Sequence, residues 1–386
     1  MCHKPRNPDS NIESIVYLVA SDLHLGHRKT PTKEIIDHFQ YLLESYDNKS
    51  DLDIIFLAGD VFDRLLEYPS DESSQITLWA GYLLNYCHKY QIKLRILEGT
   101  SIHDFGQSKI FETVSTVLQK SQSLNVDCRY ICSISVEVME DLELSILYIP
   151  DNTYHDTDLI YQEVLKTLQS KHMTQVDIGI FHGQFRYQLP GKVDPSISHI
   201  ESRYLEIVRY YINIGHIHTF MVYERIIGQG SFDRLAHSEE EPKGMVQCII
   251  NKGGESSYWF IENRSAKVYK TILLRKEPIE TAIKLIEKKL KKIPFGSHIR
   301  LKMNRDHPLV VGFRSLKDHF PDYHWTKVFI EEERDVESKA FNIEEYKPIV
   351  LSKENTKGLL LDLLVKNYEM TPNHHKTYHD LFTDGQ

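Results

Sequence analysis

The chain has 386 residues, of which 41% are hydrophobic and 26% charged, so it is long enough for two or three folded units with sizeable cores. Its sequence contains no apolar run near the ~18 residues that span a membrane, and the N-terminal MCHKPRNPDS lacks the apolar segment of a secretory signal. Five cysteines without CxxC spacing argue against a disulfide framework and against a thiolate zinc site. We therefore expect a cytoplasmic protein with no membrane partner.

The formal net charge of −9 conceals a strongly basic stretch. Residues 264–305 contain thirteen Lys or Arg against three Glu, a net charge of +10, so the rest of the chain carries about −19. Four of these lysines form the most compact cluster: Lys288, Lys289, Lys291 and Lys292. Such a cluster either neutralises the phosphates of DNA or is an ordinary solvated helix surface.

Apolar runs alternate with helical patterns from residue 14 to residue 216, which predicts an α/β fold. The strand-like runs are residues 14–20, 52–58, 92–98, 128–138, 142–150, 177–183 and 210–216. Helical periodicity covers residues 31–46, 73–90, 108–120 and 157–169. In the first helix the residues on one face are apolar: Ile35, Ile36, Phe39, Leu42 and Leu43. We expect these helices to cover a sheet.

The character of the sequence changes after residue 220. Strands and turns fill residues 220–275, and a helix at 277–296 ends at Pro294 and Gly296 before two further strands. An acidic stretch at 331–339 is interpreted as a linker, and the tail contains two short helical patterns. The predicted units are a main domain at 1–270, a small αβ unit at 271–332, a linker at 333–350 and a helical segment at 351–386. The apolar run at 359–365 either packs back on the main domain or binds a partner.

Residues that ligate metals follow five of the predicted strands directly. The segments are SDLHLGH (21–27), AGDVFD (58–63), EGTSIHD (98–104), FHG (181–183) and GHIH (215–218). Open α/β sheets bind ligands at the carboxyl ends of their strands, so the five segments are expected to meet at one edge. Each alone is a common pattern of surface or capping residues, but five in order favour one site. Imidazole and carboxylate donors suit Mn²⁺, Fe²⁺ or Zn²⁺.

The ordered set resembles the calcineurin-like metallophosphoesterase superfamily, whose pattern is DxH, GDxxD, GNH(D/E), H and GHxH. Within it the chain is most similar to the SbcD-type DNA repair nucleases, which include phage recombination endonuclease subunits. That closer resemblance rests on GQGSFDRLAHSEEEPKG at 228–244, and it covers roughly residues 14–275. The implied fold is a four-layer α/β/β/α sandwich, with a small αβ capping domain that contacts DNA and a C-terminal helical segment.

The resemblance implies a DNA exonuclease or endonuclease that uses two Mn²⁺ ions, with Mg²⁺ as the alternative, to activate water. The implied metal ligands are Asp22, His24, Asp60, His182, His216 and His218, with Asp60 as the bridge. His103 would protonate the leaving sugar oxygen, and Asp104 would orient His103.

The third segment departs from the family pattern. The family's asparagine, a ligand of the second metal, is absent from Gly99-Thr100-Ser101-Ile102-His103. We therefore expect a weakly bound second metal unless Thr100, Ser101 or water takes that place.

The same resemblance implies three partners: DNA, an SbcC-type SMC-like ATPase that binds the C-terminal segment, and a second copy of the chain. The protein would then work in DNA break processing, recombination and repair, in the host cytoplasm if a phage encodes it. The helix at 74–91, with Ile76, Trp79, Leu83 and Leu84, is a candidate homodimer contact that could equally serve the core. Two other functions stay open: a phosphatase or small phosphodiesterase with the same metal centre, and a DNA-binding subunit with weakened catalysis.

Overall fold

The short apolar runs of the sequence form the strands of three sheets. A computed structural model describes residues 13–330 except 48, 123, 125, 152–155 and 190–196. Within these residues the first strands are β1 (Ser14–Ala20), β2 (Ile54–Ala58), β3 (Lys93–Leu97), β4 (Cys128–Ile131), β5 (Ser135–Met139), β6 (Leu144–Ile149), β7 (Ile178–His182) and β8 (Ile212–Gly215). The later strands are β9 (Met221–Tyr223), β10 (Ile226–Gly228), β11 (Gly244–Asn251), β12 (Ser257–Glu262), β13 (Tyr269–Leu273), β14 (His298–Met303) and β15 (His324–Phe329).

Two of the sheets have six strands each. The first has the order β12-β11-β1-β2-β3-β4, with parallel pairing from β1 to β4 and antiparallel pairing of β11 with both neighbours. The second has the order β5-β6-β7-β8-β10-β9, in which β6, β7, β8 and β10 are parallel. Nearly every residue of β1 and β6 is buried, as expected for parallel strands that are covered on both faces. The predicted α/β class is therefore confirmed.

The described part of the chain forms eight α-helices. They are α1 (Thr32–Ser45), α2 (Asp71–Tyr90), α3 (Ser101–Asp104), α4 (Ile110–Gln122), α5 (Thr157–Ser170), α6 (Glu201–Ile207), α7 (Ile279–Leu290) and α8 (Phe313–His319). All five predicted apolar residues of α1 are buried. One hydrophobic cluster joins α1, α2 and α4 to the first sheet, and another joins α5 and α6 to the second. No helix in the described part of the chain is long and apolar enough to cross a membrane.

A third hydrophobic cluster contains side chains from both six-stranded sheets, including Tyr17 and Phe56 from the first and Tyr148 and Ile180 from the second. An ion pair also links the two sheets. Arg95 Nε and Nη2 on β3 donate to the two carboxylate oxygens of Glu137 on β5 at 2.9 and 2.8 Å. Arg95 is the largest polar side chain that is fully buried among the described residues, so a bidentate partner is what makes its burial tolerable.

The apolar face of α2 lies in the core of the chain. Ile76, Trp79, Leu83 and Leu84 are each at most 1% exposed. The Trp79 ring makes edge contacts with Phe39 at 5.3 Å and Phe111 at 5.5 Å between ring centroids. The sequence left open whether these four side chains serve the core or a homodimer contact. Their burial within the chain shows that they serve the core. The homodimer itself stays a prediction.

The third sheet is small, with the parallel order β13-β14-β15, and it has its own hydrophobic cluster with α7 and α8. Its first strand begins at Tyr269, close to the predicted start of the small αβ unit at residue 271. The described residues end at Ile330, where the first compact unit of the chain also ends. The predicted linker at 333–350 and helical segment at 351–386 lie outside the described residues.

Candidate metal centre

The five predicted segments all follow or end strands at the carboxyl side of the two six-stranded sheets. The first three follow β1, β2 and β3 of the first sheet, and the other two lie at the ends of β7 and β8 of the second. The two sheets meet here, because His182 Nδ1, at the end of β7, donates to the carbonyl oxygen of Ala58, the last residue of β2, at 2.7 Å. The site therefore draws its side chains from both sheets.

Three side chains form a first ligand group: Asp22, His24 and His218. The Nε2 atoms of His24 and His218 lie 3.1 Å apart, and His218 Nε2 lies 3.7 Å from Asp22 Oδ1. Two atoms that bind one cation at about 2.1 Å lie roughly 3.0 Å apart in adjacent positions and roughly 4.2 Å apart in opposite positions. The spacing of this group therefore fits one shared cation.

A second ligand group consists of Asp60, His182 and His216. Asp60 Oδ1 lies 3.2 Å from His182 Nε2, whereas Asp60 Oδ2 lies 4.0 Å from His24 Nε2 of the first group. The two oxygens of this one buried carboxylate thus face different groups. The structure brings all six predicted ligands together, with Asp60 between the two ligand groups.

Hydrogen bonds at Nδ1 leave the Nε2 atoms of several histidines facing the site. His218 Nδ1 donates to Glu239 Oε1 at 2.7 Å, His182 Nδ1 to Ala58, and His103 Nδ1 to the carbonyl oxygen of Asp63 at 2.7 Å. A neutral imidazole that donates from one nitrogen keeps a lone pair on the other. This arrangement is typical of metal-ligating histidines and fits a divalent cation.

Asp60 and the histidines around it shift one another's pKa. Burial alone would raise the pKa of Asp60, but the charge and hydrogen bond of His182, followed by the charge of His24, hold that pKa well below its usual value. Burial lowers the pKa of His182, but Asp60 more than reverses the effect and raises it well above the ordinary value. A buried carboxylate in this position requires a positive neighbour, and a divalent cation meets the same requirement.

Several of the predicted ligands have left-handed backbone conformations that non-glycine residues seldom adopt. Their φ angles are 51° at Asp22, 52° at His24, 48° at Asp60 and 97° at His216. Such conformations cost of order 1–3 kcal/mol each and are concentrated at functional sites. The surrounding fold must therefore offset the free energy that these four backbone conformations cost.

Two glycines allow the loops to approach one another closely. A Cβ atom at Gly59 would lie 2.2 Å from His182 Nδ1, and one at Gly99 would lie 2.1 Å from the backbone nitrogen of Asp60. Neither position has room for a side chain, which explains the glycine in the second and third segments.

The third segment places Thr100 inside the second ligand group. Its hydroxyl oxygen contacts every member of that group, at 3.3 Å (Asp60 Oδ2), 3.5 Å (His182 Nε2) and 3.3 Å (His216 Nδ1). Its backbone nitrogen donates to Asp60 Oδ1 at 2.6 Å. Ser101, the other substitute considered from the sequence, has an exposed side chain. Of the two, only Thr100 lies among the ligands.

His103 lies beside the first ligand group, with its ring centroid 4.9 Å from that of His24. The residue that orients its ring is Asp63, through the backbone carbonyl described above. The Asp104 carboxylate instead accepts hydrogen bonds from the backbone nitrogens of Phe62 at 2.8 Å and Gly99 at 2.7 Å. Burial, followed by the charge of Asp60, raises the pKa of Asp104 well above its usual value. Asp104 thus joins the second and third segments, and the orienting contact predicted for it belongs to Asp63.

Sequence reasoning assigned no role to two acidic residues at the centre. Glu239 orients His218, although it lies in the 228–244 segment that was singled out for its resemblance. Asp151 lies 4.0 Å from His216 Nδ1 and follows the end of β6 by two residues. The rule that revealed the other segments, a polar residue directly behind an apolar strand, would also have revealed Asp151.

The basic cluster predicted to bind DNA lies at the end of α7. Lys288 and Lys289 occupy the last turn, and Lys291 and Lys292 follow it. All four side chains are exposed.

Comparisons with known proteins assign no family. No family model and no curated protein matches the chain. Among solved structures, the protein TT1561 of Thermus thermophilus is similar at 9% identity, with a TM-score of 0.36 over 65% of this chain and 99% of that chain. Another solved structure has 9% identity and a TM-score of 0.39 over 64% of this chain and 99% of that one.

We predict that Glu239→Gln weakens Mn²⁺ binding by about tenfold to 100-fold, because partners that orient metal-ligating histidines contribute that much to affinity. Isothermal titration with MnCl₂ measures the effect. The matched control is Glu240→Gln, at the neighbouring position, whose carboxylate contacts Lys270 Nζ at 2.6 Å. Equal Mn²⁺ affinities for the two variants would show that Glu239 does not act through His218.

Proposed function

We propose that this chain is a two-metal phosphodiesterase of the SbcD type that cleaves DNA. The observation that carries the proposal is the Asp60 carboxylate, whose two oxygens face the first and the second ligand group separately. One carboxylate shared in this way suits a pair of divalent cations about 3.5–4 Å apart. Such pairs serve the in-line displacement at phosphorus that nucleases and phosphatases catalyse.

The side chains of the chain itself have separable tasks in this mechanism. When bound, the two cations would lower the pKa of a water molecule and stabilise charge on the attacking and departing oxygens. Asp22 fixes the backbone of His216, whose nitrogen donates to both Asp22 oxygens at 3.0 Å. His103, held at Nδ1 by Asp63, would act in its imidazolium form, in which Nε2 also carries a proton, and would pass that proton to the leaving sugar oxygen. Asp104 holds together the loops that present Asp60 and His103.

The segment at 228–244 supports a nuclease over other phosphoesterases. It is the part of the sequence that resembles SbcD-type nucleases, and its side chains are built into the metal centre. Glu239 orients His218, and Lys243 Nζ donates to the His218 carbonyl oxygen at 2.7 Å. Arg234 donates to the carbonyl oxygens of Glu241, Ala266 and Lys267.

The remaining parts of the resemblance complete the proposal. The two six-stranded sheets and their helices would be the four-layer metallophosphoesterase sandwich, and the small sheet with α7 and α8 its DNA-contacting cap. An SbcC-type ATPase would bind the segment at 351–386, and two copies of the chain would form a homodimer. Mn²⁺ is the metal proposed, because imidazole and carboxylate donors suit it.

Two alternatives use the same centre. A phosphatase or small phosphodiesterase would cleave a small ester and leave DNA intact. A DNA-binding subunit with weakened catalysis would bind DNA and cleave neither substrate, which is the alternative that the altered third segment favours on its own. The position of His103 beside His24 favours an active enzyme over this second alternative.

We predict Mn²⁺-dependent cleavage of single-stranded or double-stranded DNA by the purified protein, assayed with and without its ATPase partner. His103→Gln should lower the cleavage rate by about 10²-fold to 10⁴-fold, the usual contribution of a general acid. Mn²⁺ affinity should remain unchanged, because His103 is not among the proposed ligands.

The matched control for that assay is His172→Gln, at an exposed position after α5, which should keep the wild-type rate. Cleavage of bis(p-nitrophenyl) phosphate without cleavage of DNA would support the phosphatase alternative. DNA binding without cleavage of either substrate would support the weakened subunit.

We predict that the basic cluster contributes to DNA binding. Replacing Lys288, Lys289, Lys291 and Lys292 together with Gln should make the dependence of log Kd on log salt shallower, because fewer counterions are released. Fluorescence anisotropy with a labelled duplex at several salt concentrations measures the slope. An unchanged slope would identify the cluster as a solvated helix surface.

A further inference from the structure

Asp151 brings an additional carboxylate to the second ligand group. It follows β6, which pairs in parallel with β7, the strand that ends at His182. The Thr100 hydroxyl lies 3.3 Å from Asp151 Oδ2, which in turn lies 4.0 Å from His216 Nδ1. No family pattern in the sequence marks this residue.

The distance between Asp151 and His216 fits two ligands of one cation. Atoms in opposite positions on one cation are roughly 4.2 Å apart, and the 4.0 Å between Asp151 Oδ2 and His216 Nδ1 falls within that limit. Thr100 lies centrally, since its hydroxyl contacts the donor atoms of Asp60, His182, His216 and Asp151.

The chemistry of Thr100 explains why another ligand is needed. The hydroxyl oxygen of threonine is one bond closer to the backbone than the amide oxygen of asparagine, so it reaches less far into the group. A neutral hydroxyl is also a weaker ligand than a carboxylate for Mn²⁺ or Mg²⁺. As a donor, however, it can hold a carboxylate in a fixed orientation.

Within the described residues, the contacts of the Asp151 side chain lie at the metal centre. Its hydrogen-bonding and ion-pair partners there are Thr100 and His216. An aspartate with a structural role would be expected to cap a helix or pair with Lys or Arg. The cap of the next helix, α5, is a different residue, Asp156, whose side chain accepts from the backbone nitrogen of Asp158 at 2.8 Å.

We infer that Asp151 is a ligand of the second metal, in place of the asparagine missing from the third segment, and that Thr100 positions it by hydrogen bonding. This inference rests on the proposed two-metal function. The second metal would then have two carboxylates, Asp60 and Asp151, and two imidazoles, His182 and His216. The additional negative charge should strengthen binding of a divalent cation, so the weak second site expected from the sequence gives way to one comparable with the first.

The test is Mn²⁺ binding by Asp151→Asn, which removes the charge and keeps the shape. Isothermal titration of the wild type should show two bound Mn²⁺ ions per chain. In the variant, one of the two affinities should fall by at least about tenfold to 100-fold while the other stays unchanged. Electron paramagnetic resonance should show the spin-coupled Mn²⁺ pair of the wild type replaced by an isolated Mn²⁺ ion. Circular dichroism confirms that the variant is folded.

Thr100→Asn provides a rescue experiment. It returns the amide ligand of the family pattern, so Asp151→Asn should cost less Mn²⁺ affinity in that background than in the wild type, a non-additivity expected of residues that share one site. Asp151→Glu, which keeps the charge, should retain the second ion better than Asp151→Asn. The matched control is Asp141→Asn, before the opposite end of β6, whose exposed carboxylate contacts Lys93 at 2.7 Å. It should leave both affinities unchanged.

The outcomes separate this inference from the proposed function. Two Mn²⁺ ions bound with equal affinity by the wild type and by Asp151→Asn would overturn the role of Asp151 and leave the two-metal enzyme intact. A wild-type protein that binds no pair of ions would overturn both. Loss of affinity in Asp141→Asn as large as in Asp151→Asn would attribute the effect to net charge and contradict a ligand role.

Discussion

The organisation of this protein depends on one buried carboxylate that faces two groups of histidines at once. Asp60 is 2% exposed, has a left-handed backbone conformation and accepts a hydrogen bond from the Thr100 backbone. Its oxygens point toward His182 on one side and His24 on the other. A charge buried in this way is unstable without positive partners, and that electrostatic requirement explains the ring of imidazoles around it. The proposed two-metal chemistry is a consequence of the same arrangement.

Because the two six-stranded sheets pack together, side chains from both sheets surround this carboxylate. Apolar side chains from both sheets form one cluster, and the Arg95–Glu137 ion pair links β3 to β5. The contact between His182 and Ala58 links β7 to β2 at the edge where the ligand loops begin. Packing of the sheets therefore determines the distances within the metal centre, and the glycines at 59 and 99 permit the close approach. The strand ends that hold the two sheets together therefore also position the candidate ligands.

The sequence was sufficient to predict the α/β class, the apolar face of α1 and the six candidate ligands that the structure brings together. These features follow from local periodicity and from residues directly behind strands, which a linear sequence displays. It was insufficient where the partner is distant: Glu239 orients His218, Asp63 rather than Asp104 contacts His103, and Asp151 approaches His216. The periodicity of α2 also predicts a buried face that contains Trp79, but it does not show what covers that face. A core contact and a dimer contact therefore remained equally good explanations until the packing of α2 was known.

A crystal of the protein soaked in MnCl₂, with anomalous diffraction measured at the manganese edge, would show the proposed metal pair directly. We expect two anomalous peaks about 3.5–4 Å apart, one on each side of the Asp60 carboxylate. The peak beyond His182 and His216 should also contact Asp151. A single peak, or two peaks that do not share Asp60, would contradict the two-metal centre on which the proposed function rests.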